Sequence, residues 1–402
     1  MTHSLPVTGN TEHTKPENRK FYPALDGLRA IAFLMVFFEH YLSLPWGWAG
    51  VNIFFVLSGF LITGILFDTK ESPHRIRNFY VRRTLRIFPL YYGVIAIILL
   101  LSPVAHWHWS SLWIGWPLYL GNFWRFLSPT SAVYGSTLQL AADAQLYSSK
   151  FPHSPFFFGH FWSLCVEEQF YLLWPWIVFR ARRRKTLLWI CGIATLLIPL
   201  ARVAAQHLAP HWMLHAELLY RFTPFQADSL LLGGWAALMW RGPHREALLR
   251  WSRVVAIAMA MVAAVYYFAT IRGVNFAEAH SFIGYQYPVW IYTVGITFVN
   301  VLAASVIVCL LSPSRWLAMA FGNRPMRWLG RISYGAYVLH DIPQMAYGIL
   351  ASRFRHHWHL SAADAVVIYV VLGLGSTILL AWLSFRFYES RFLNLKERWT
   401  VR

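Results

Sequence analysis

The sequence is poor in charged residues, and acidic residues are especially few. Asp, Glu, Lys and Arg make up 13% of its 402 residues, and Asp and Glu together number only 17. Soluble proteins carry about one charged residue in four, so these charges are too few to cover a soluble globule of this size. The shortage excludes an ordinary cytosolic enzyme, and a hydrophobic content of 57% excludes a disordered chain.

Cysteine is also scarce. The three cysteines, Cys165, Cys191 and Cys309, each lie in an apolar run, and no two of them form a CxxC pair. Neither a disulfide framework nor a zinc site is implied by this spacing. The sequence therefore predicts no metal centre.

Long apolar runs dominate the sequence instead. Ten segments approach the length of about 20 mostly apolar residues that a helix needs to cross a bilayer. They are 28–44, 50–68, 87–103, 160–179, 186–203, 223–240, 254–271, 287–311, 332–350 and 362–385. A weaker aromatic stretch at 112–126 is interpreted as an interfacial or re-entrant piece. The predicted fold class is all-α: an integral membrane bundle of ten transmembrane helices.

The distribution of Lys and Arg predicts the orientation of this bundle. With the N-terminus inside, the inner segments contain 28 of the 35 Lys and Arg residues and the outer segments contain seven. This bias follows the positive-inside rule, so both termini are predicted to be cytoplasmic. The net charge of +18 is then a topology signal and does not indicate nucleic-acid binding.

Three regions follow from this topology. Residues 1–27 are polar and form a predicted flexible cytoplasmic tail without a cleavable signal. Residues 28–385 form the membrane domain, with an extracytoplasmic loop at 104–159. Residues 386–402 form a second cytoplasmic tail.

Ionisable residues inside the predicted crossings mark a functional layer, because charge in the bilayer is costly. They are Glu39, His40, Glu167, Glu168, Asp228, His340 and Asp341. A rise of about 1.5 Å per residue places His40 about 16 Å beyond the inner-edge Arg29. His40 and Glu167 are candidate catalytic residues, although each has a structural alternative. His340 either supports catalysis or joins helices by a hydrogen bond.

Arginine spacing indicates a phosphate site at the inner end. Arg29 and His40 are eleven residues apart, which brings both side chains to about the same helix face. Arg83 and Arg86 share a face three residues apart. Because the arginine fork binds phosphate with two hydrogen bonds, a polyphosphorylated donor such as a coenzyme A thioester is predicted there. Its acyl arm would reach His40, which would act as the base or carry the acyl group itself.

Five motifs in order carry a resemblance to a known family. They are YPALDGLR at 22–29 with the following His40, GVNIFFVLSGF at 50–60, RTLRIFP at 83–89, FWSLCVEEQFY at 161–171 and ISYGAYVLH at 332–340. Through these motifs the chain resembles the membrane acyltransferase-3 family of bacterial O-acyltransferases, over about residues 21–390. Members often have Asp where this chain has Asn52, so the role of this position is in doubt.

The resemblance implies ten crossings of the bacterial inner membrane and acyl transfer from cytoplasmic acyl-CoA. Its functional positions are Arg29 with His40, the pair Arg83 and Arg86, and Glu167. Some members carry an added extracytoplasmic hydrolase-like domain, whereas we expect the helical core of this chain to serve the acceptor directly.

The predicted function is a membrane O-acyltransferase that moves an acyl group, with acetyl favoured, to a hydroxyl of a cell-surface polysaccharide or lipid-linked glycan. Biosynthesis of lipopolysaccharide or exopolysaccharide is the expected context. The predicted site combines the catalytic residues His40, Glu167 and His340 with the acyl-CoA-binding residues Arg29, Arg83 and Arg86. Acyl-CoA is a co-substrate, and no cofactor is bound permanently. Two alternatives stay open: a transporter or flippase without chemistry, and an acyltransferase for a small molecule such as a macrolide.

Overall fold

The computed structural model describes residues 21–44, 46–104, 114–123, 159–208, 217–271 and 290–400. Within these ranges the regular structure is helical and contains no strand. The α-helices are α1 (Pro23–Leu42), α2 (Ala49–Asp68), α3 (Arg75–Leu101), α4 (Trp162–Arg180), α5 (Arg184–Leu208), α6 (Glu217–Arg221), α7 (Thr223–Trp240), α8 (Arg245–Ile271), α9 (Ile296–Leu311), α10 (Arg315–Phe321), α11 (Arg324–Leu339), α12 (Gln344–Trp358), α13 (Ala362–Leu383), α14 (Ser390–Asn394) and α15 (Lys396–Trp399). Most of the predicted loop 104–159, and residues 1–20 of the predicted tail, lie outside the described residues.

Six helical spans in the described part of the chain are long and apolar enough to cross a membrane. They correspond to α2, α3, α5, α8, the stretch Ile291–Leu311 that includes α9, and the stretch that begins with α13. The four other predicted crossings, which contain α1, α4, α7 and α11, are those with the ionisable residues. Polar side chains lower the hydropathy of α1, α4 and α7, and α11 is only 16 residues long. The count of ten crossings stays a prediction.

Burial separates central helices from peripheral ones. In the most apolar stretch of α2, 67% of the residues are buried, and the share is the same in Ile291–Leu311. In the corresponding stretches of α5 and α8, only 17% and 11% of the residues are buried. Helices α2 and α7 pack closely, because Gly59 of α2 lies against the Leu230 backbone and Gly233 of α7 lies against the Val56 backbone. Helices α5 and α8 have apolar faces that point outward, and these faces suit contact with lipid.

Helix α1 begins at Pro23, so it includes the last residues of the predicted tail 1–27. Proline suits the first turn of a helix because the amide hydrogen that it lacks would have no partner there. The helix ends at Leu42, followed by Ser43 at a φ of 51°, whose N–H donates to the carbonyls of Phe38 and Glu39. This stop places His40 in the last turn of α1.

The predicted crossing 332–350 is wrong as a single helix. Helix α11 ends at Leu339 and α12 begins at Gln344. Pro343 explains the break, because a helical proline has no N–H to donate and its ring clashes with the carbonyl four residues earlier. His340 and Asp341 therefore lie on a short non-helical link at the end of α11.

The C-terminal residues also differ from a simple tail. A π-helical turn, Ser384–Glu389, continues α13 and leads into α14 and α15. The Tyr388 hydroxyl donates to the Pro89 carbonyl of α3 at 3.0 Å. The predicted tail 386–402 thus packs, through its first residues, against the helix that carries Arg83 and Arg86.

Candidate active site

Two predicted catalytic residues, His40 and His340, lie side by side. His40 Nδ1 is 2.8 Å from His340 Nε2, and the two ring planes are nearly parallel, at 13°, with centroids 4.9 Å apart. Helix α1, which carries His40, and helix α11, which ends just before His340, run close together, because Gly330 of α11 packs directly on the Asp26 backbone of α1. The helix pair α1 and α11 therefore joins residues 300 positions apart in the chain.

Two further residues complete this imidazole cluster, which we define as His40, His160, His340 and Asp341. Asp341 Oδ1 lies 3.5 Å from His40 Nδ1, and Asp341 Oδ2 lies 3.2 Å from His160 Nδ1. Both Asp341 and His160 are buried. His160, which precedes α4 in a 3-10 turn at Gly159–Phe161, was not among the predicted site residues.

Backbone carbonyls fix the tautomers of two rings. His340 Nδ1 is 2.7 Å from the Tyr337 carbonyl, and His160 Nε2 is 3.1 Å from the Val338 carbonyl. A carbonyl only accepts, so each of these nitrogens carries its hydrogen and the other nitrogen of each neutral ring has a lone pair. His40 must then donate from Nδ1 to His340 Nε2, which leaves the lone pair of His40 on Nε2.

The link at the end of α11 is held by two more hydrogen bonds. The Tyr41 hydroxyl donates to the His340 carbonyl at 2.9 Å. The Gln344 side-chain amide donates to the His40 carbonyl. These bonds satisfy backbone groups that the helix ends leave open, and they connect α1, the link after α11 and α12 around the cluster.

A cavity brings together the three predicted phosphate-binding residues. Arg29, Arg83 and Arg86 all line it, as does Glu167, and its volume is about 800 Å³ including the open mouth. Arg29 also donates to Asp26 at 2.7 Å. Helices α1, α3 and α4 thus supply three guanidinium groups and one carboxylate to a single concave site.

One ring separates the cavity from the imidazole cluster. Tyr337 lines the cavity, and its ring centroid lies 5.5 Å from that of His340 and 5.6 Å from that of His160. Its hydroxyl is 2.5 Å from Ser163 Oγ, another cavity residue. Among the described residues, neither His40 nor His340 lines the cavity itself, so Tyr337 and Ser163 form the wall between the two sites.

Asp228 lies in a different environment from the one expected for a site residue. Arg202 donates to both of its carboxylate oxygens, at 2.9 and 2.8 Å, and both side chains are buried. Asn300 donates to the same carboxylate at 3.3 Å and also accepts from Asn52 at 3.1 Å. Asp228 and Asn52 therefore belong to one buried polar network between α2, α5, α7 and α9.

The aromatic stretch predicted at 112–126 is described only for residues 114–123. There the Trp116 carbonyl accepts from the Tyr91 hydroxyl at 2.8 Å, and Gln169 donates to the Tyr119 carbonyl at 2.7 Å. The described part is folded against α3 and α4.

The chain is similar to known proteins over nearly its whole length. A family model described as an acyltransferase domain matches residues 22–386. The chain is similar to peptidoglycan O-acetyltransferase OatA of Listeria monocytogenes, with 30% identity over 393 residues, covering 94% of this chain and 57% of the relative. It is also similar to the putative peptidoglycan O-acetyltransferase YrhL of Bacillus subtilis, with 30% identity, covering 93% of this chain and 55% of the relative.

A putative O-acetyltransferase of Staphylococcus aureus strain COL is 26% identical, with 94% of this chain and 58% of the relative covered. The chain thus spans less than three fifths of the length of each of these relatives. No solved structure matches the chain.

Proposed function

The chain belongs to this acyltransferase-domain family, and from that premise we propose that it O-acetylates a glycan of the cell wall from cytoplasmic acetyl-coenzyme A. It is a multi-pass membrane protein, and we place it in the bacterial inner membrane. The relatives named as peptidoglycan O-acetyltransferases favour a peptidoglycan hydroxyl as the acceptor over lipopolysaccharide or exopolysaccharide.

The cavity that contains Arg29, Arg83 and Arg86 supports the donor side of this proposal. Coenzyme A has several phosphates at one end of a long flexible arm and the acyl group at the other. Guanidinium groups bind phosphate through paired, charge-assisted hydrogen bonds. With the phosphates on the arginines, the thioester would lie towards Tyr337 and Ser163, and the Tyr337 side chain would have to move aside for the acyl group to meet His40. Glu167, on the same wall, would orient the reacting groups.

His40 would act at the acceptor side. Its Nε2 lone pair accepts the proton of the acceptor hydroxyl while the hydroxyl oxygen attacks the thioester carbonyl carbon. The new C–O bond forms, the C–S bond breaks, and the coenzyme leaves as a thiolate that takes the proton from His40. His340 holds the tautomer of His40, and Asp341 stabilises the imidazolium that forms between the two steps. An acyl-histidine intermediate at the same nitrogen is the covalent variant of this scheme.

The experiment uses inside-out membrane vesicles that contain the full chain and labelled acetyl-CoA. We expect label to enter the glycan fraction and to be released on muropeptides by muramidase digestion. His40→Ala should abolish this transfer without loss of membrane insertion, whereas His356→Ala, a change at an exposed histidine of α12, should retain it.

Three results would contradict the proposal. Transfer at the wild-type rate by the His40→Ala variant would remove His40 from the mechanism. Movement of the acceptor across the membrane without incorporation of label would support a transporter or flippase. Label found only on a small molecule would support an acyltransferase for a small molecule.

A further inference from the structure

We propose that the imidazole cluster is a binding site for one divalent transition-metal cation, with His40 Nδ1, His340 Nε2 and the Asp341 carboxylate as ligands. These three donor groups lie within 4.8 Å of one another. They come from α1 and from the link after α11, so their spacing along the chain does not follow a metal-binding motif. Binding itself is independent of the proposed function, and only its catalytic consequence rests on that function.

The balance of hydrogen-bond donors and acceptors supports a cation. His340 Nε2, His160 Nδ1 and both Asp341 oxygens are acceptors, whereas His40 Nδ1 supplies the one hydrogen directed at them from the neutral rings of the cluster. Both Asp341 oxygens and His160 Nδ1 are buried without a hydrogen-bond partner among the described residues. Buried unpaired acceptors are unfavourable, and a cation would compensate for this surplus of lone pairs.

One of two measured distances between ligand atoms fits coordination, and the other is shorter. Zinc binds nitrogen and oxygen ligands at about 2.0–2.2 Å, which places the ligand atoms of a tetrahedron about 3.3–3.6 Å apart. His40 Nδ1 lies 3.5 Å from Asp341 Oδ1 and 2.8 Å from His340 Nε2. A small separation of the two rings and transfer of the His40 hydrogen to Nε2 would therefore create the site.

The groups around these ligands have the arrangement typical of metal centres. A ligating histidine usually donates its other N–H to a carbonyl or carboxylate, and His340 Nδ1 does so to the Tyr337 carbonyl. His160 lies against the second oxygen of Asp341, where it can position the carboxylate. Two imidazoles and one carboxylate suit zinc or ferrous iron, and not magnesium or calcium, which prefer oxygen ligands.

A cation here would change how the acceptor hydroxyl is activated. Three protein ligands leave a coordination position open, as in catalytic zinc sites. The acceptor oxygen would occupy that position and lose its proton more readily, so the cation would replace His40, now a ligand, as the activating group. The hydroxyl oxygen would attack the thioester carbonyl carbon, the C–S bond would break, and the coenzyme thiolate would take the proton. If the cation has this role, chelation should stop acetyl transfer and added metal should restore it.

Metal content is the primary test. The full chain is purified in detergent without added metal, and metals are measured by inductively coupled plasma mass spectrometry. The same protein is then titrated with Zn²⁺ and with Co²⁺, whose visible absorption reports tetrahedral nitrogen and oxygen coordination. We expect stoichiometric metal in the wild type, or saturable binding of one Zn²⁺ with the Co²⁺ bands.

Variants then locate the site. Asp341→Asn keeps the shape of the side chain and should lose the metal, and His160→Ala should weaken affinity by about 10–100-fold, as for other groups that position ligands. His356→Ala should leave binding unchanged, because His356 is exposed on α12.

Wild-type protein without metal and without saturable Zn²⁺ or Co²⁺ binding would overturn the inference, and so would binding that Asp341→Asn leaves intact. Acetyl transfer by metal-free protein would refute the metal role and leave the proposed function in place. A protein that binds the metal but transfers no acetyl group, either with the metal or after its removal, would refute the function and leave the site in place.

Discussion

The ion pair between Arg202 and Asp228 allows a direct distinction between a structural and a functional charge. Arg202 of α5 donates to both oxygens of Asp228 on α7, and the exposed fractions of the two side chains are 0% and 1%. Arg202 also donates to the Thr293 carbonyl at 3.1 Å and to Thr297 Oγ1 at 2.7 Å. We predict that this pair connects helices and takes no part in transfer.

Asp228→Leu would leave the guanidinium group buried without a counter-charge. Removal of one partner from a buried ion pair lowers the free energy of unfolding by about 3–5 kcal/mol. The carbonyl and hydroxyl contacts of Arg202 remain, so we expect about 3 kcal/mol, which is more than a hundredfold change in the unfolding equilibrium. Asp228→Leu combined with Arg202→Met removes both charges, and its stability should return to near the wild-type value.

The assay is equilibrium unfolding of purified protein in one detergent, with acetyl transfer measured per folded molecule on the same samples. A double variant as unstable as Asp228→Leu would refute the electrostatic explanation. A stable double variant that has lost transfer would show instead that Asp228 acts in the reaction.

Two further predictions concern the donor cavity and the helix packing. Arg83→Lys keeps the charge but loses the planar fork, so the KM for acetyl-CoA should rise by about 10–100-fold with little change in kcat. This rise corresponds to the loss of a charged hydrogen bond of about 1.5–3 kcal/mol. An unchanged KM in steady-state kinetics would exclude Arg83 from phosphate binding. Gly59→Ala places a methyl group on the Leu230 backbone and should destabilise the protein by about 1–3 kcal/mol. Gly375→Ala, where the added atom meets nothing within 4 Å, should not destabilise it in the same unfolding assay, and equal losses in both would refute the close α2–α7 contact.

Patterns confined to one helix gave the most reliable predictions. The three arginines were predicted from spacing within α1 and α3, and the structure places all of them on one cavity. Helix bounds were less predictable where a single residue decides them: Pro343 divides the predicted crossing 332–350, and Pro23 starts α1 within the predicted tail. The roles of the predicted site residues in catalysis and binding stay predictions.

Only part of the imidazole cluster could be predicted from the sequence. His40 and His340 were predicted from their depth in apolar segments, whereas His160 stands at the edge of a predicted crossing and next to a loop rich in histidine. Asp341 was noted for depth alone, with no indication of its partners. Asp228 had the same kind of signal and proved to pair with Arg202, so depth does not distinguish a site residue from a structural one.

The amino-acid sequence alone determined that the protein is helical and apolar and which arginines share a helix face, because these properties depend on composition and on the repeat of a single helix. Only the tertiary structure decided that His160, His340 and Asp341 surround His40, and that Asp228 is paired away from them. Helix periodicity fixes the face on which a side chain lies, but the neighbour that this face meets depends on packing between segments far apart in the chain.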